Sequence, residues 1–329
     1  MRNHAKATPP TDSWQEKRFL QKKVVSAMAY LRTELIDLQF LGYPLAIAAY
    51  LLDDGSEAAL VEVGPTSTAE TLLKEVQARG VALERVRHLI VTHIHLDHAG
   101  ALGWLLQRLP NATAYVHPIG APHMVDPSRL LSSASRLYGE MMERLWGEVV
   151  PVPSERLRVV HDGERFAVAG RTLVAIDTPG HARHHHAYLD EATGILFAGD
   201  IAGVRMPGTT YVRPPTPPPE LDVEAWQASI AKLRQLPIRQ LALTHFGLYD
   251  DVARHLDELE ARLLDWANFT RTLIEQGVSD AELIQRLREY GNAEMAHQNI
   301  NPSSYDLGAG YEFIALGYAR YWRKKLGLA

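Results

Sequence analysis

Ile90-Val-Thr-His-Ile-His-Leu-Asp-His-Ala-Gly100 is the stretch on which the reading of this chain turns. The apolar segment Arg87–Val91 reads as a short strand that delivers the chain into it. In extended backbone, side chains two apart share a side. His93, His95 and Asp97 are therefore expected to face one way, with Ile94 and Leu96 toward the core, and His98 turns onto the next helix. Four metal-competent side chains stand within six residues. A lone histidine on an apolar face is ordinarily structural, held by one hydrogen bond. Three with an aspartate at this spacing would leave several buried polar atoms unsatisfied unless an ion gathers them.

Three further pieces carry ligand-type side chains just past predicted strand ends: Asp177-Thr-Pro-Gly-His181, Phe197-Ala-Gly-Asp200 and Leu243-Thr-His245-Phe-Gly247. That is where open α/β sheets place their sites. The 329 residues include no cysteine and 15 histidines. Disulfides, thiolate metal sites, iron–sulfur clusters and cysteine nucleophiles are excluded. Any metal is held by imidazole and carboxylate, and five His with two Asp suit two borderline cations. No Gly-x-Ser-x-Gly nucleophile elbow is present.

Hydrophobic residues make up 46% and charged residues 22%, and 34 Lys+Arg against 39 Asp+Glu give a net charge of -5. This balance argues against gripping nucleic acid or an anionic membrane. No run reaches the ~20 apolar residues of a membrane span, and a cytoplasmic protein is expected. Residues 1–27 are polar and basic (Lys17, Arg18, Lys22, Lys23) and read as a poorly ordered extension.

The rest alternates strands and helices, so an α/β layered fold is expected. Leu45–Leu52 and Ala58–Val63 read as a hairpin around Asp53-Asp54-Gly55, and Thr68–Arg79 and Ala99–Leu109 as helices. A strand-rich second section follows residue 153, with a helix near Val223–Gln235 and a strand at Gln240–Leu243. The main domain is set at 28–260, with a helical insertion at about 121–150 and a helical segment at 261–329. Arg213–Pro219 holds five prolines in seven residues, which suits a stiff loop, either a spacer or a wall over a site. Tyr305, Tyr311, Phe313, Tyr318, Tyr321 and Trp322 make the C-terminal part aromatic. Packing on the main domain is the simpler reading, and a substrate cap or dimer surface the functional one.

The ordered series Thr92-His-Ile-His-Leu-Asp-His98, His181, Asp200, His245 resembles the metallo-β-lactamase superfamily over roughly residues 40–260. The resemblance implies a four-layer αβ/βα sandwich with a dinuclear centre at one edge. It implies that His93, His95 and His181 bind one ion, Asp97, His98 and His245 the other, and that Asp200 bridges them. Zinc is the first expectation, with iron or manganese as alternatives. Two such ions ionise a shared water that attacks a carbonyl or phosphoryl centre, and Asp97 orients it. The bridging aspartate and the absent cysteine point toward the glyoxalase II, lactonase and phosphodiesterase branches. The stretch Thr178–His186 also resembles the glyoxalase II pattern, with His185 as the second histidine and His184 replacing the usual glycine. His185 is expected to orient substrate or support the ligands. Tyr211, in the proline-rich loop, reads first as an amphipathic packing residue, with donation to a substrate oxygen as its functional alternative. His117 and His123 are candidates for the rim. The expected activity is hydrolysis of a small ester, thioester or lactone. Phosphodiester hydrolysis, a one-iron persulfide dioxygenase and a non-catalytic ligand-binding protein are the alternatives. The expected partner is a small molecule, with neither nucleic acid nor membrane, and a homodimer is open because the fold often dimerises.

Overall fold

The computed structural model describes residues 31–328. The expected N-terminal extension, residues 1–27, lies outside the described residues. Two six-stranded sheets face each other. The first runs in chain order: β1 (Arg32–Asp37), β2 (Ala48–Asp53), β3 (Ala58–Val61), β4 (Val86–Ile90), β5 (Thr113–Val116) and β6 (Leu157–Val159). Its first two pairings are antiparallel and the rest parallel. The second holds β7 (Arg165–Val168), β8 (Arg171–Asp177), β9 (His186–Asp190), β10 (Ile195–Gly199), β11 (Gln240–Leu243) and β12 (Gly247–Tyr249). Only β10 and β11 are parallel in it.

Both faces of these sheets are covered, which is why β2, β9 and β10 are buried along their whole length. Tyr50, Ile90, Tyr115, Phe166, Tyr188 and Phe197 fill the space between the sheets. On the outer face of the first sheet lie α1 (Ala69–Ala78), α2 (Leu96–Ala99) and α3 (Leu102–Arg108). The insertion contributes α4 (Ala121–Val125), α5 (Ser128–Tyr138) and α6 (Met142–Trp146) to the same side. The second sheet is covered by α7 (Val223–Leu233), α8 (Val252–Glu275), α9 (Asp280–Ala296) and α10 (Tyr311–Leu326). This is the four-layer αβ/βα sandwich expected from the sequence, with C-terminal helices added.

Those C-terminal helices share one core with the second sheet: Trp266, Tyr305, Ile314 and Tyr318 are buried with Trp226 and Leu243. Capping is local and legible: Asp222 accepts from the Ala225 N–H at the start of α7, and Ser279 from the Glu282 N–H at the start of α9. No helix among the described residues is long and apolar enough to cross a membrane. Two strands were not anticipated. In β1 only Ile36 is fully buried, so the edge strand shows little alternation, and β12 is three residues long.

Candidate metal centre

The motif does not reach its geometry by strand alternation. β4 ends at Ile90, and His95 is the N-cap of α2 in extended backbone, so Asp97 and His98 lie inside that helix. His93 and His95 come from the loop, Asp97 and His98 from the helix turn, and the two sets meet where the loop passes into the helix at Leu96. Beyond them, His181 follows β8, Asp200 follows β10 and His245 follows β11. All seven expected residues converge. Ligand-type atoms of His93, His95 and His181 lie within 4.8 Å of one another, as do those of Asp97, His98 and His245, and those of His93, His98 and Asp200.

Asp200 joins the groups. Its Oδ2 is 3.4 Å from His181 Nε2, while its Oδ1 is 3.3 Å from His98 Nε2 and 3.5 Å from His245 Nε2. Asp97 Oδ2 is 3.4 Å from His245 Nε2 and 3.7 Å from His98 Nε2.

The opposite edge of each ring is fixed by the fold. His181 Nδ1 donates to the Pro215 carbonyl at 2.8 Å, and His245 Nδ1 to the Ala46 carbonyl at 2.6 Å. His98 Nδ1 donates to Glu62 Oε1 at 3.2 Å. The Thr92 hydroxyl gives its proton to Glu62 Oε1 at 2.5 Å and so accepts from His93 Nδ1 at 3.1 Å. Four rings thereby turn their Nε2 edge toward the centre. His95 presents Nδ1 instead, 2.8 Å from His93 Nε2 and 2.9 Å from His181 Nε2. Such outer partners select the ligating nitrogen and its orientation.

The donor set fits divalent metal. His98 Nε2, His245 Nε2 and Asp200 Oδ1 are buried and have no hydrogen-bond partner. Orphans of this kind cost free energy unless a ligand satisfies them. Burial, reinforced by neighbouring imidazoles, pushes His93 and His95 well below the usual histidine range, into the neutral ligating form. Burial opposes the charge of Asp97 too, but His98 and His245 outweigh it and hold its carboxyl at about 2. Asp200 is held low in the same way by His98, His181 and His245. Both carboxylates are thus ionised at neutral pH.

The sequence model of the metallo-β-lactamase superfamily matches residues 42–245. The chain belongs to the metallo-β-lactamase superfamily. A hydroxyacylglutathione hydrolase of a Synechococcus species is 31% identical over 188 residues, 57% of this chain and 58% of its own. An atrochrysone carboxyl ACP thioesterase of Aspergillus fumigatus is 28% identical over 191 residues, 58% of this chain and 47% of its own. The matches thus span about half the length of these curated relatives. A metallo-β-lactamase family protein of Thermus thermophilus has the same fold, with a TM-score of 0.65 and 24% identity over 90% of this chain and 94% of its own.

Around this metallo-β-lactamase centre the other expected residues fall unevenly. His185 does not reach the cavity. Its Nδ1 donates to Thr178 Oγ1 at 2.8 Å and its Nε2 accepts the Asp200 N–H at 3.2 Å, so it holds the backbone that carries Asp200. Gly199 makes this approach possible: a Cβ there would lie 2.4 Å from Thr92 Oγ1 and 2.8 Å from His185 Nε2. His184, not His185, lines the cavity, with Nε2 3.4 Å from Glu220 Oε2. Tyr211 is a packing residue and does not line the cavity, so its alternative role toward a substrate oxygen is not met. It is fully buried under the Arg262 guanidinium, 3.8 Å from the ring centroid, and its hydroxyl donates to Glu294 at 3.2 Å. His123 lines the cavity, whereas His117 Nε2 donates to Asp177 Oδ1 at 3.0 Å. Glu62 was missed by sequence reasoning. It is the one charged residue that ends the buried run Ala58–Val61, and that position was the available signal.

The centre opens into a cavity of about 530 Å³, with His95, Asp97, His181 and Asp200 in its lining. Its walls come from the insertion, from Pro215–Pro219 and from residues 306–314. The proline-rich loop therefore serves as a wall, and its Pro215 carbonyl also holds His181.

Proposed function

We propose that this chain is a metal-dependent hydrolase that holds two divalent ions, zinc first among them, and cleaves an ester, thioester or lactone. The observation that carries the reading is Asp200, whose two carboxylate oxygens face two separate sets of converging ring nitrogens. His93, His95 and His181 would hold one ion and Asp97, His98 and His245 the other. When bound, two such ions lower the pKa of water toward ~7 and polarise a scissile carbonyl oxygen.

The chain's own groups do the remainder. Asp97 lines the cavity and is ionised at neutral pH, so its carboxylate accepts a hydrogen bond from the attacking water and fixes its direction. His185 and Glu62 hold Asp200 and His98 in place from behind. The aromatic and leucine part of the cavity wall suits the acyl portion of such a substrate. The two relatives named for action on acyl carriers support the same choice.

The test is metal analysis followed by hydrolysis assays on metal-loaded protein with aryl esters, thioesters, lactones, phosphodiesters and a β-lactam. The expected result is about two ions per chain and turnover of the acyl substrates. Asp97→Ala should lower kcat/KM by about 10²–10⁴-fold with unchanged circular dichroism. Full activity in that variant, or turnover confined to phosphodiesters, would refute the reading.

A further inference from the structure

We propose that the cavity is an acyl-chain chamber, so that the substrate is an ester or thioester whose acyl portion is a medium-length aliphatic chain. This rests on the hydrolase reading above and names the substrate within it.

The chamber is built from parts outside the metal motifs. Phe40, Trp146, Tyr138 and Phe313 form an unbroken aromatic wall, with ring centroids 5.7, 5.0 and 5.1 Å apart in that order. Leu130, Leu137 and Leu145 complete the side that the insertion provides. Three of the eight large apolar side chains that stand exposed among the described residues gather at its mouth: Ile119, Met141 and Leu307. Exposed apolar groups are unremarkable when scattered, but a cluster around a cavity marks a ligand surface. The volume of about 530 Å³ lies within the range of pockets that enclose a whole small ligand.

Asp97 and the ligand rings line the same cavity as this aromatic and leucine wall, which offers an aliphatic chain dispersion contacts and removal from water, while Arg129, Arg183, Glu220, Asp306 and Glu312 make the polar part of the lining. The alcohol and thiol carriers of acyl groups are polar, so the apolar part of such a substrate is its acyl chain. The scissile carbonyl then lies beside Asp97, the chain runs along the aromatic wall, and the carrier leaves toward water past exposed Arg129 and Arg183.

The test uses metal-loaded full chain and a series of thioesters with one thiol and acyl groups from acetyl to decanoyl. The expected result is a kcat/KM that rises with each methylene, by up to about fourfold per step, the factor for complete burial of one CH₂. A second series, with acetyl fixed and the alcohol lengthened, should show no such rise. Calorimetry with decanoate reads the chamber without turnover. Ser133→Trp, at a half-buried position on the cavity wall remote from the metal ligands in sequence, should weaken decanoate binding and flatten the acyl series. Its acetyl turnover should stay near wild type.

Equal turnover of acetyl and decanoyl thioesters, or a rise only in the alcohol series, would overturn the chamber while leaving the hydrolase intact. Absence of all hydrolysis would sink the hydrolase reading. In that event decanoate binding that Ser133→Trp abolishes would still support the chamber, and no measurable binding would overturn it too.

Discussion

Glu62 sits in the left-handed backbone region, φ 64, which a side chain with a Cβ rarely adopts. The cost is of order 1–3 kcal/mol, and the conformation brings its carboxylate to Thr92, His98 and Thr244 together. Glu62→Gln keeps the shape but loses the anion that His98 Nδ1 donates to. Metal affinity should fall by about 10–100-fold, read by chelator competition, with the thermal midpoint little changed. Gly199→Ala is the opposite case. Its Cβ would press on Thr92 and His185, and its φ of +50 would be strained, so both stability and metal content should drop. Calorimetry with metal analysis on the same sample checks this, and loss of neither would contradict the packing described. At this scale the seven converging residues were legible because one dense His/Asp motif and three single His or Asp residues all follow predicted strands. Glu62 was not, since a single carboxylate has no pattern. For Tyr211 the packing reading holds and the substrate-contact alternative does not, since sequence alone does not tell which way its loop turns.

At the scale of elements, α8 is tied to the site's framework through His255. Its Nε2 donates to the Ala202 carbonyl at 2.7 Å, and Arg205 Nη1 donates to its Nδ1 at 3.3 Å, so the ring is built in as neutral. Burial, and then the Arg205 charge against the pull of the Ala202 carbonyl, brings its pKa from 6.5 to about 4. Unfolded chains take up a proton near pH 6.5 and the folded one only near 4. Between those values the unfolded state binds more protons. The contribution is fully present above 6.5 and is lost as pH falls toward 4, amounting to about 3 kcal/mol. Denaturant titrations at pH 7.5 and 4.5 should show a smaller loss for His255→Gln than for wild type, and an equal loss would exclude this role. The interior strands and the capped helices were readable from apolar runs and turn residues. The mode of convergence in the motif was not, because alternation and a helix turn both bring residues 93–98 together.

For the whole molecule, the C-terminal segment is both packing and wall. Tyr305, Tyr311, Ile314 and Tyr318 belong to the core of the second sheet, while residues 306–314 line the cavity. Deleting residues 301–329 should therefore cause loss of the soluble fold rather than a cleaner, wider site. Truncating even one buried aromatic costs about 3–5 kcal/mol. Phe313→Ala, half-buried at the cavity, should instead leave the thermal midpoint within a few degrees and change which substrates are turned over. Solubility, melting curves and the substrate series separate these outcomes, and a stable, fully active truncation would contradict the shared core. Aromatic content marked the segment as buried against something, but only the contact of Tyr138 with Phe313 shows that two distant stretches of chain close over one space. The proline wall carries His181 on its Pro215 carbonyl, so a tenant that leans on the wall also nudges that imidazole. With cobalt installed in the proposed metal site, occupancy far from the ion should register as a change of colour.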